Sequence, residues 1–196
     1  MSPVVSLSIL PRHHLNMDIS KVMIRPGEAD DLLSLSDFDH GYLTDYVWQM
    51  DINSDEVEVA VRFREIRLPR SMRVEYPRDP RVLAKLWPAR GNLLVAELEN
   101  EIVGYANMLP DQIPGAVWVS DVVTLRRLRR QGIGTKLLLA VQAFARQHEH
   151  DRIILEMQSK NNPAIKVASK LGYEFSGYSD QYYSNHDIAL FFTRRI

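Results

Sequence analysis

The hydrophobic pattern changes several times along the chain, and each change marks a structural element. In residues 57–64, valine and phenylalanine alternate with charged residues and one alanine, as in a strand with one buried face. Two apolar runs, 93–98 and 102–109, flank a short polar turn and predict a hairpin. Residues 133–148 carry apolar side chains at helical spacing, which predicts an amphipathic helix.

Shorter apolar runs and turn residues predict the remaining elements. Acidic residues after Gly27 favour the start of a helix, and Asn162 and Gly172 are typical of the two ends of another. Four prolines predict a loop over residues 69–90, with one short helix at 81–87. The remaining strands are predicted at 22–26, 117–124, 152–157, 173–178 and 188–194.

The order of these elements predicts the fold class. Antiparallel strands come first and a strand–helix–strand–helix unit follows, which is typical of an α+β fold with a mixed sheet. Residues 1–20 have little periodicity and are predicted to be an N-terminal extension. The length of 196 residues suits a single domain, which is predicted over residues 21–196.

A basic glycine loop, residues 129–135, follows the predicted strand at 117–124 and opens into a helix. A helix N-terminus carries unpaired N–H groups and about half a positive charge, and glycines let the backbone approach a ligand, so the loop favours a phosphate. Thr135-Lys136 does not complete a Walker loop, and Leu137 replaces the third glycine of a dinucleotide fingerprint. A polyphosphate site is therefore predicted, with a nucleic-acid surface or a solvated turn as the alternatives.

Two segments of the chain resemble the signatures of a known enzyme family. Arg129, Gly132 and Gly134, after a strand ending in Val122-Val123-Thr124, resemble the acetyl-CoA signature of the GCN5-related N-acetyltransferases, the GNAT family. The same family has a second signature further along the chain, and residues 155–156, 161–165 and 171–175 resemble it. The resemblance covers about residues 21–196 and implies a mixed, mostly antiparallel twisted sheet with splayed central strands flanked by helices.

The resemblance also implies acetyl-CoA as the co-substrate, bound between the strands at 117–124 and 152–157. Backbone groups of one strand would pair with the pantetheine amides like an added strand, and the loop amides would hold the diphosphate. Val122 and Val123 are also explained as core residues, and Asn161 as a helix cap. The residues predicted to bind acetyl-CoA are Val122, Val123, Thr124, Arg129, Arg130, Gln131, Gly132, Ile133, Gly134, Thr135 and Asn161.

Acetyl transfer to an amine needs a base, because a lysine-type amine has a pKa of about 10.4 and an α-amine one of about 8. Asp121 lies in a valine-rich strand directly before the segment that pairs with acetyl-CoA, and Glu156 lies near the end of the neighbouring strand. Either carboxylate is a candidate base or water-holding group, and either is also explained as a structural acid. The amide of Val122, or a neighbouring amide, is expected to stabilise negative charge on the thioester oxygen.

Many members of the family have a tyrosine, the acid for the leaving thiolate, where this chain has Ala168. Either the thiolate leaves without that donor or another group replaces it, and Tyr182 and Tyr183 are the candidates. They belong to residues 181–188, which resemble the terminal Tyr-Tyr…Asp pattern of protein N-terminal acetyltransferases. A tyrosine pair is also an ordinary feature of strands and loops.

Composition excludes several other chemistries. The chain has no cysteine, which rules out disulfides, thiolate metal sites and transfer through an acyl-cysteine, and its six histidines lack metal-binding spacing, so no metal site is predicted. The net charge of −1 and the lack of aromatic platforms beside the arginines argue against nucleic acid. No apolar run approaches the roughly 20 residues of a membrane span, and residues 4–10 resemble a signal peptide poorly. A cytoplasmic protein with no membrane partner is predicted.

The predicted function is the direct transfer of an acetyl group from acetyl-CoA to an amine of a small molecule. Residues 63–77 and 188–192 are faintly similar to streptothricin-type acetyltransferases, and the acids between residues 28 and 58 could face a cationic acceptor. The tyrosine-rich tail favours acetylation of peptide N-termini or lysines as an alternative, and Ala168 favours a non-catalytic CoA-binding module. A homodimer is left open.

Overall fold

The structure is a computed structural model that describes residues 18–79 and 92–196. The helix predicted at 81–87 and most of the extension predicted at 1–20 lie outside the described residues. The last part of that extension contacts the body of the protein: Ile19–Lys21 form a 3-10 turn, and the Lys136 ammonium donates to the Ile19 carbonyl at 2.8 Å. The domain boundary at residue 21 stays a prediction.

The described residues form nine strands and three α-helices. The strands are β1 (Met23–Pro26), β2 (Tyr42–Ser54), β3 (Val59–Val74), β4 (Asn92–Leu98), β5 (Glu101–Pro110), β6 (Ala116–Thr124), β7 (Arg152–Gln158), β8 (Glu174–Ser179) and β9 (Ala189–Arg195). The helices are α1 (Asp31–Ser36), α2 (Ile133–Gln147) and α3 (Asn162–Lys170).

Seven of these strands form the main sheet, in the order β1-β4-β5-β6-β7-β9-β8. Neighbouring strands are antiparallel except for β6 and β7, which run parallel. This topology confirms the predicted α+β fold with a mixed, mostly antiparallel sheet. Each strand of the main sheet begins and ends within one residue of its predicted range.

The parallel strands β6 and β7 separate toward their carboxyl ends. Their pairing runs from Ala116 opposite Arg152 to Val119 opposite Leu155 and then stops. Beyond that point β6 continues along β5 to Thr124, while β7 continues along β9. The two strands therefore open into a wedge, as the family resemblance implied.

A separate two-stranded hairpin, β2 and β3, corrects two sequence predictions. Residues 69–74, predicted as part of a loop, continue β3, and β2 was not predicted at all. Pro69 is tolerated because the register jumps between Thr44 and Tyr46, which leaves residues 68–71 without a direct partner on β2. The predicted strand start at Val57 is also wrong, because Val57 lies in the hairpin turn and is 94% exposed.

Strand β4 shows how sequence alternation buries both faces of the main sheet. Leu94 and Ala96 point into the large core that α2 covers, whereas Leu93 and Val95 point into a second core with Leu35 of α1. Packing on both faces fixes the central strands, and so fixes the wedge between β6 and β7.

Candidate active site

The glycine loop leads directly into the N-terminus of α2, as predicted. Gly132 has a φ of 97° and Arg130 a φ of 64°, so the chain turns sharply before the helix begins at Ile133. Of the atoms in residues 18–79 and 92–196, none lies within 4 Å of a Cβ atom placed on Gly132, and one on Gly134 would meet a Val122 methyl group at 4.0 Å. The space over the loop is therefore open to a ligand.

The loop offers a row of backbone donors to that space. Within the described part of the chain, the amides of residues 131–135 have no hydrogen-bond acceptor. Their position at the start of α2 adds the positive end of the helix dipole. An anion such as the diphosphate of acetyl-CoA fits these donors.

The two loop arginines have different surroundings. The Arg129 guanidinium turns away from the loop opening and donates to the backbone carbonyls of Thr124 (3.1 Å), Gly41 (2.6 Å) and Asp39. Burial lowers the pKa of Arg129 from its ordinary value. Arg130 is exposed, and its guanidinium has no hydrogen-bond partner among the described residues. Arg129 therefore ties the loop to the protein, and Arg130 is the arginine available to a phosphate.

Asp121 and Glu156, the predicted acids, lie together where β6 and β7 separate. Each residue is 8% exposed. Asp121 accepts hydrogen bonds from the Ser120 hydroxyl at 2.6 Å and from the Tyr76 hydroxyl. Glu156 accepts one from the Trp118 indole N–H at 2.9 Å. The wedge thus has a pair of buried, hydrogen-bonded carboxylates at its inner end.

Arg78 bridges this pair, a contact that the sequence analysis missed. Its guanidinium donates to Asp121 at 3.3 Å and to Glu156. Burial alone would lower the pKa of Arg78, but the negative charges of Asp121 and Glu156 outweigh it and raise the pKa above the ordinary value for arginine. Nothing in the local pattern marks Arg78, because it follows β3 in a proline-containing segment that was predicted to be a loop.

The two tail tyrosines reach the same acids. The Tyr182 hydroxyl donates to Glu156 at 3.2 Å, and this side chain is 43% exposed. Tyr183 is buried, and its ring lies 5.1 Å from the guanidinium carbon of Arg78. Burial raises the pKa of both tyrosines, and the charge of Glu156 raises it further. Both hydroxyls therefore stay protonated at neutral pH and can act as donors.

A polar cluster of His40, Tyr76 and Tyr105 lies next to Asp121, and the sequence pattern did not predict it. His40 lies 2.9 Å from the Tyr105 hydroxyl through Nε2, and its ring packs against Tyr76 with 4.7 Å between centroids. Burial lowers the pKa of His40, which favours the neutral ring. Nδ1 lies 2.7 Å from the Phe38 carbonyl and so donates to it, which leaves Nε2 to accept from Tyr105.

Helix α3 carries two positions of interest, Asn161 at its start and Ala168 within it. Asn161 caps this helix by accepting from the Ala164 amide at 3.2 Å, so the capping interpretation holds, and a contact with acetyl-CoA stays a prediction. Ala168 is fully buried in the main core, where a tyrosine would need space that neighbouring side chains occupy.

Comparison with known proteins identifies the family. Residues 61–173 match the model of the Acetyltransferase (GNAT) family, which is more than half of the chain. The chain belongs to the GNAT acetyltransferase family. This result confirms the resemblance drawn from the glycine loop and the second signature.

Two relatives of this chain are named for different acetyl acceptors. An N-alpha-acetyltransferase of Sulfurisphaera tokodaii is 33% identical over 108 residues, which are 48% of this chain and 64% of that protein. The chain thus spans less than two thirds of this relative. A streptothricin acetyltransferase of Streptomyces lavendulae is 22% identical over 175 residues, 81% of this chain and 83% of that protein.

Solved structures agree on the GNAT fold. The crystal structure of nourseothricin acetyltransferase has a TM-score of 0.76 and 19% identity, and the alignment covers 89% of this chain and 98% of that one. A Bacillus anthracis protein assigned as a streptothricin acetyltransferase, solved with acetyl coenzyme A, has a TM-score of 0.70 and 18% identity over 89% and 99% of the two chains.

No described helix is long and apolar enough to cross a membrane. The described residues contain no group of three or more histidine, aspartate or glutamate side chains placed to hold a metal ion.

Proposed function

We propose that this GNAT protein transfers an acetyl group from acetyl-CoA directly to an amine of a small molecule. The observation that carries the proposal is the position of Asp121 and Glu156, side by side in a wedge whose neighbouring loop offers unpaired amides to an anion. A thioester held along β6 would place its reacting carbon near both carboxylates. The absence of cysteine supports direct transfer without an acyl-enzyme.

Acetyl-CoA supplies an activated acetyl group on a thioester. Residues 131–135 and Arg130 are proposed to hold its diphosphate through N–H groups and positive charge. Among the described strands, none pairs with residues 120–124 on the edge of β6 that faces β7, so this backbone can pair with an amide-containing chain. These features support the proposed contacts of Val122, Val123 and Thr124 with the pantetheine arm.

The chain's own residues are proposed to move protons around the transfer. Asp121 or Glu156 takes a proton from the acceptor ammonium, and the neutral nitrogen forms its bond to the acetyl carbon as the carbon–sulfur bond breaks. The backbone amide of Val122 stabilises the charge that develops on the carbonyl oxygen. Tyr182 or Tyr183 gives a proton to the departing sulfur, in place of the tyrosine that Ala168 replaces, and the second proton that the nitrogen loses on forming the amide restores this tyrosine.

The small-molecule acceptor is supported by the extent of the similarities. The streptothricin acetyltransferase aligns with 81% of the chain and the nourseothricin enzyme with 89%, whereas the N-alpha-acetyltransferase aligns with 48%. The higher identity to the N-alpha-acetyltransferase, 33%, favours peptide N-termini as the second candidate. We also propose that the protein acts in the cytoplasm.

Thiol release from acetyl-CoA tests the function directly. The panel should contain streptothricin, nourseothricin, spermidine and short peptides with free N-termini. Turnover with a small amine and little with peptides supports the proposal, and the reverse order favours the second candidate. Tight CoA binding without turnover on any member would favour a non-catalytic binding module and overturn the proposed activity.

A further inference from the structure

The Arg78 guanidinium fills the gap between the two buried carboxylates. Its side chain is 31% exposed, whereas those of Asp121 and Glu156 are 6% and 2% exposed. Within the described residues, no other arginine or lysine contacts either acid. Arg78 is thus the counter-charge of this pair and the member of the trio nearest to solvent.

The surroundings of the guanidinium make a subsite for a cation. Two carboxylates face it, and the ring of Tyr183 lies 5.1 Å from its central carbon. Carboxylates and an aromatic face together attract guanidinium and ammonium groups alike. The guanidinium also donates to the Ser120 carbonyl at 3.3 Å, an acceptor that an ammonium group can use as well.

Three of the other donors to these acids are more firmly held, and the fourth is Tyr182, which is 43% exposed. Tyr76 and Ser120 bind Asp121, while Trp118 binds Glu156, and all three side chains lie on or pack against the sheet that forms the wedge. Arg78 follows the end of β3 and contacts the acids only through its long side chain. Among the described residues, the Arg78 guanidinium is the only cation bound to the pair, and its side chain can leave without moving a strand.

We propose that this is the acceptor's cation subsite and that the Arg78 guanidinium occupies it until an acceptor ammonium displaces it. The proposal rests on the proposed function and narrows the acceptor to aliphatic amines that are protonated at neutral pH, excluding neutral arylamines. Exchange of one cation for another keeps the total charge of the buried trio constant, so no carboxylate is left uncompensated. After exchange, one carboxylate takes the ammonium proton, and the neutral amine remains beside the thioester.

The replacement Arg78→Gln removes the internal competitor and keeps a polar side chain of similar length. If the guanidinium fills the subsite about nine-tenths of the time, its removal lowers the KM for an aliphatic amine about tenfold. Arg64→Gln, the same change on the exposed hairpin, is the control and leaves the KM unchanged. Should Arg78→Gln fail to fold, Arg78→Lys keeps the charge but loses the planar fork, and a smaller decrease in KM is expected.

Binding of methylguanidinium distinguishes two cases: Arg78 occupies the subsite until the amine arrives, or Arg78 stays in place throughout the reaction. By calorimetry methylguanidinium should bind Arg78→Gln and not the wild-type protein, and it should inhibit the variant competitively against the amine. A raised KM in Arg78→Gln, with activity restored by methylguanidinium, would overturn the proposal, because Arg78 would then act in place during the reaction. Calorimetry needs no turnover: a wild-type protein that acetylates no amine counts against the proposed function, whereas absence of binding to Arg78→Gln counts against the subsite.

Discussion

Asp121 of β6 and Glu156 of β7 lie just past the last paired residues of their two strands, Val119 and Leu155. A paired sheet would bring backbone to backbone at this point and leave no space between the strands. Because pairing stops there, the two carboxylates flank the inner end of an open wedge. The sheet topology therefore brings the two carboxylates together at the point where the strands separate.

Replacement of Gly134 by glutamate should abolish CoA binding while the fold survives. A Cβ at this position has only a methyl group of Val122 as a neighbour, at 4.0 Å, so the new side chain extends into the open space over the loop. Its negative charge would then repel the diphosphate. Calorimetric titration with CoA measures the effect, and Leu139→Glu, on an exposed position of the same helix, is the control. Equal CoA affinity in a folded Gly134→Glu variant would show that the loop is not the diphosphate site.

Removal of the active tail hydroxyl should lower turnover and leave CoA affinity nearly unchanged. A donor that acts on the departing sulfur contributes only as charge develops there, and a general acid contributes about a hundredfold. Steady-state kinetics and CoA titration of Tyr182→Phe, Tyr183→Phe and the double variant separate the two hydroxyls. Full turnover in the double variant would mean that water protonates the thiolate.

Introduction of the family's tyrosine at position 168 should destabilise the protein. Ala168 is fully buried, and overpacking a filled core costs between about 1 and 3 kcal/mol of unfolding free energy. Denaturant unfolding of Ala168→Tyr measures the loss, with Ser169→Tyr, exposed on the same helix, as the control. A variant as stable as the wild type would mean that this part of the core has room for a ring.

Stability should depend on pH through His40. Burial lowers the pKa of His40 below 6.5, so the unfolded chain binds a proton that the folded protein excludes. This contribution is fully present above pH 6.5 and is lost as the pH falls from there through the pKa of the folded state. Urea unfolding at several pH values should therefore show a steeper loss in the wild type than in His40→Asn, which keeps a donor for the Phe38 carbonyl. Parallel pH profiles for the two proteins would contradict a buried neutral His40.

The local pattern of the sequence predicted the main sheet and the glycine loop, because both depend on neighbouring residues. Asp121 was selected because it lies in a valine-rich strand, and Glu156 because it lies near the end of the neighbouring strand. The structure brings the two side chains together, and their role as a base stays a prediction. The strand predicted at 57–64 falls short of the end of β3, and residues from Pro69 onward were predicted as a loop because proline ordinarily ends a strand. The irregular register that accommodates Pro69 depends on β2.

The local sequence pattern could not predict contacts between residues that are far apart in the chain. Arg78 is 43 residues before Asp121 and 78 before Glu156, and no periodicity links such positions. Tyr76 reaches Asp121 from the same segment. The family resemblance placed Arg129 among the residues that bind acetyl-CoA, but the guanidinium donates to the carbonyl groups of Asp39 and Gly41, which are distant in sequence.

The acid pair is the centre of this account, and the pH dependence of amine acetylation in its amide variants tests it most directly. Asp121→Asn and Glu156→Gln keep the shape of each side chain and remove the proton acceptor, with Asp51→Asn on the exposed hairpin as the control. With the best small amine of the acceptor panel, at least one of the two variants should lose about a hundredfold or more in turnover. The low-pH limb of its pH profile, which reports the protonation of the base, should change. If both variants and the double variant keep wild-type turnover at every pH, neither carboxylate is the base.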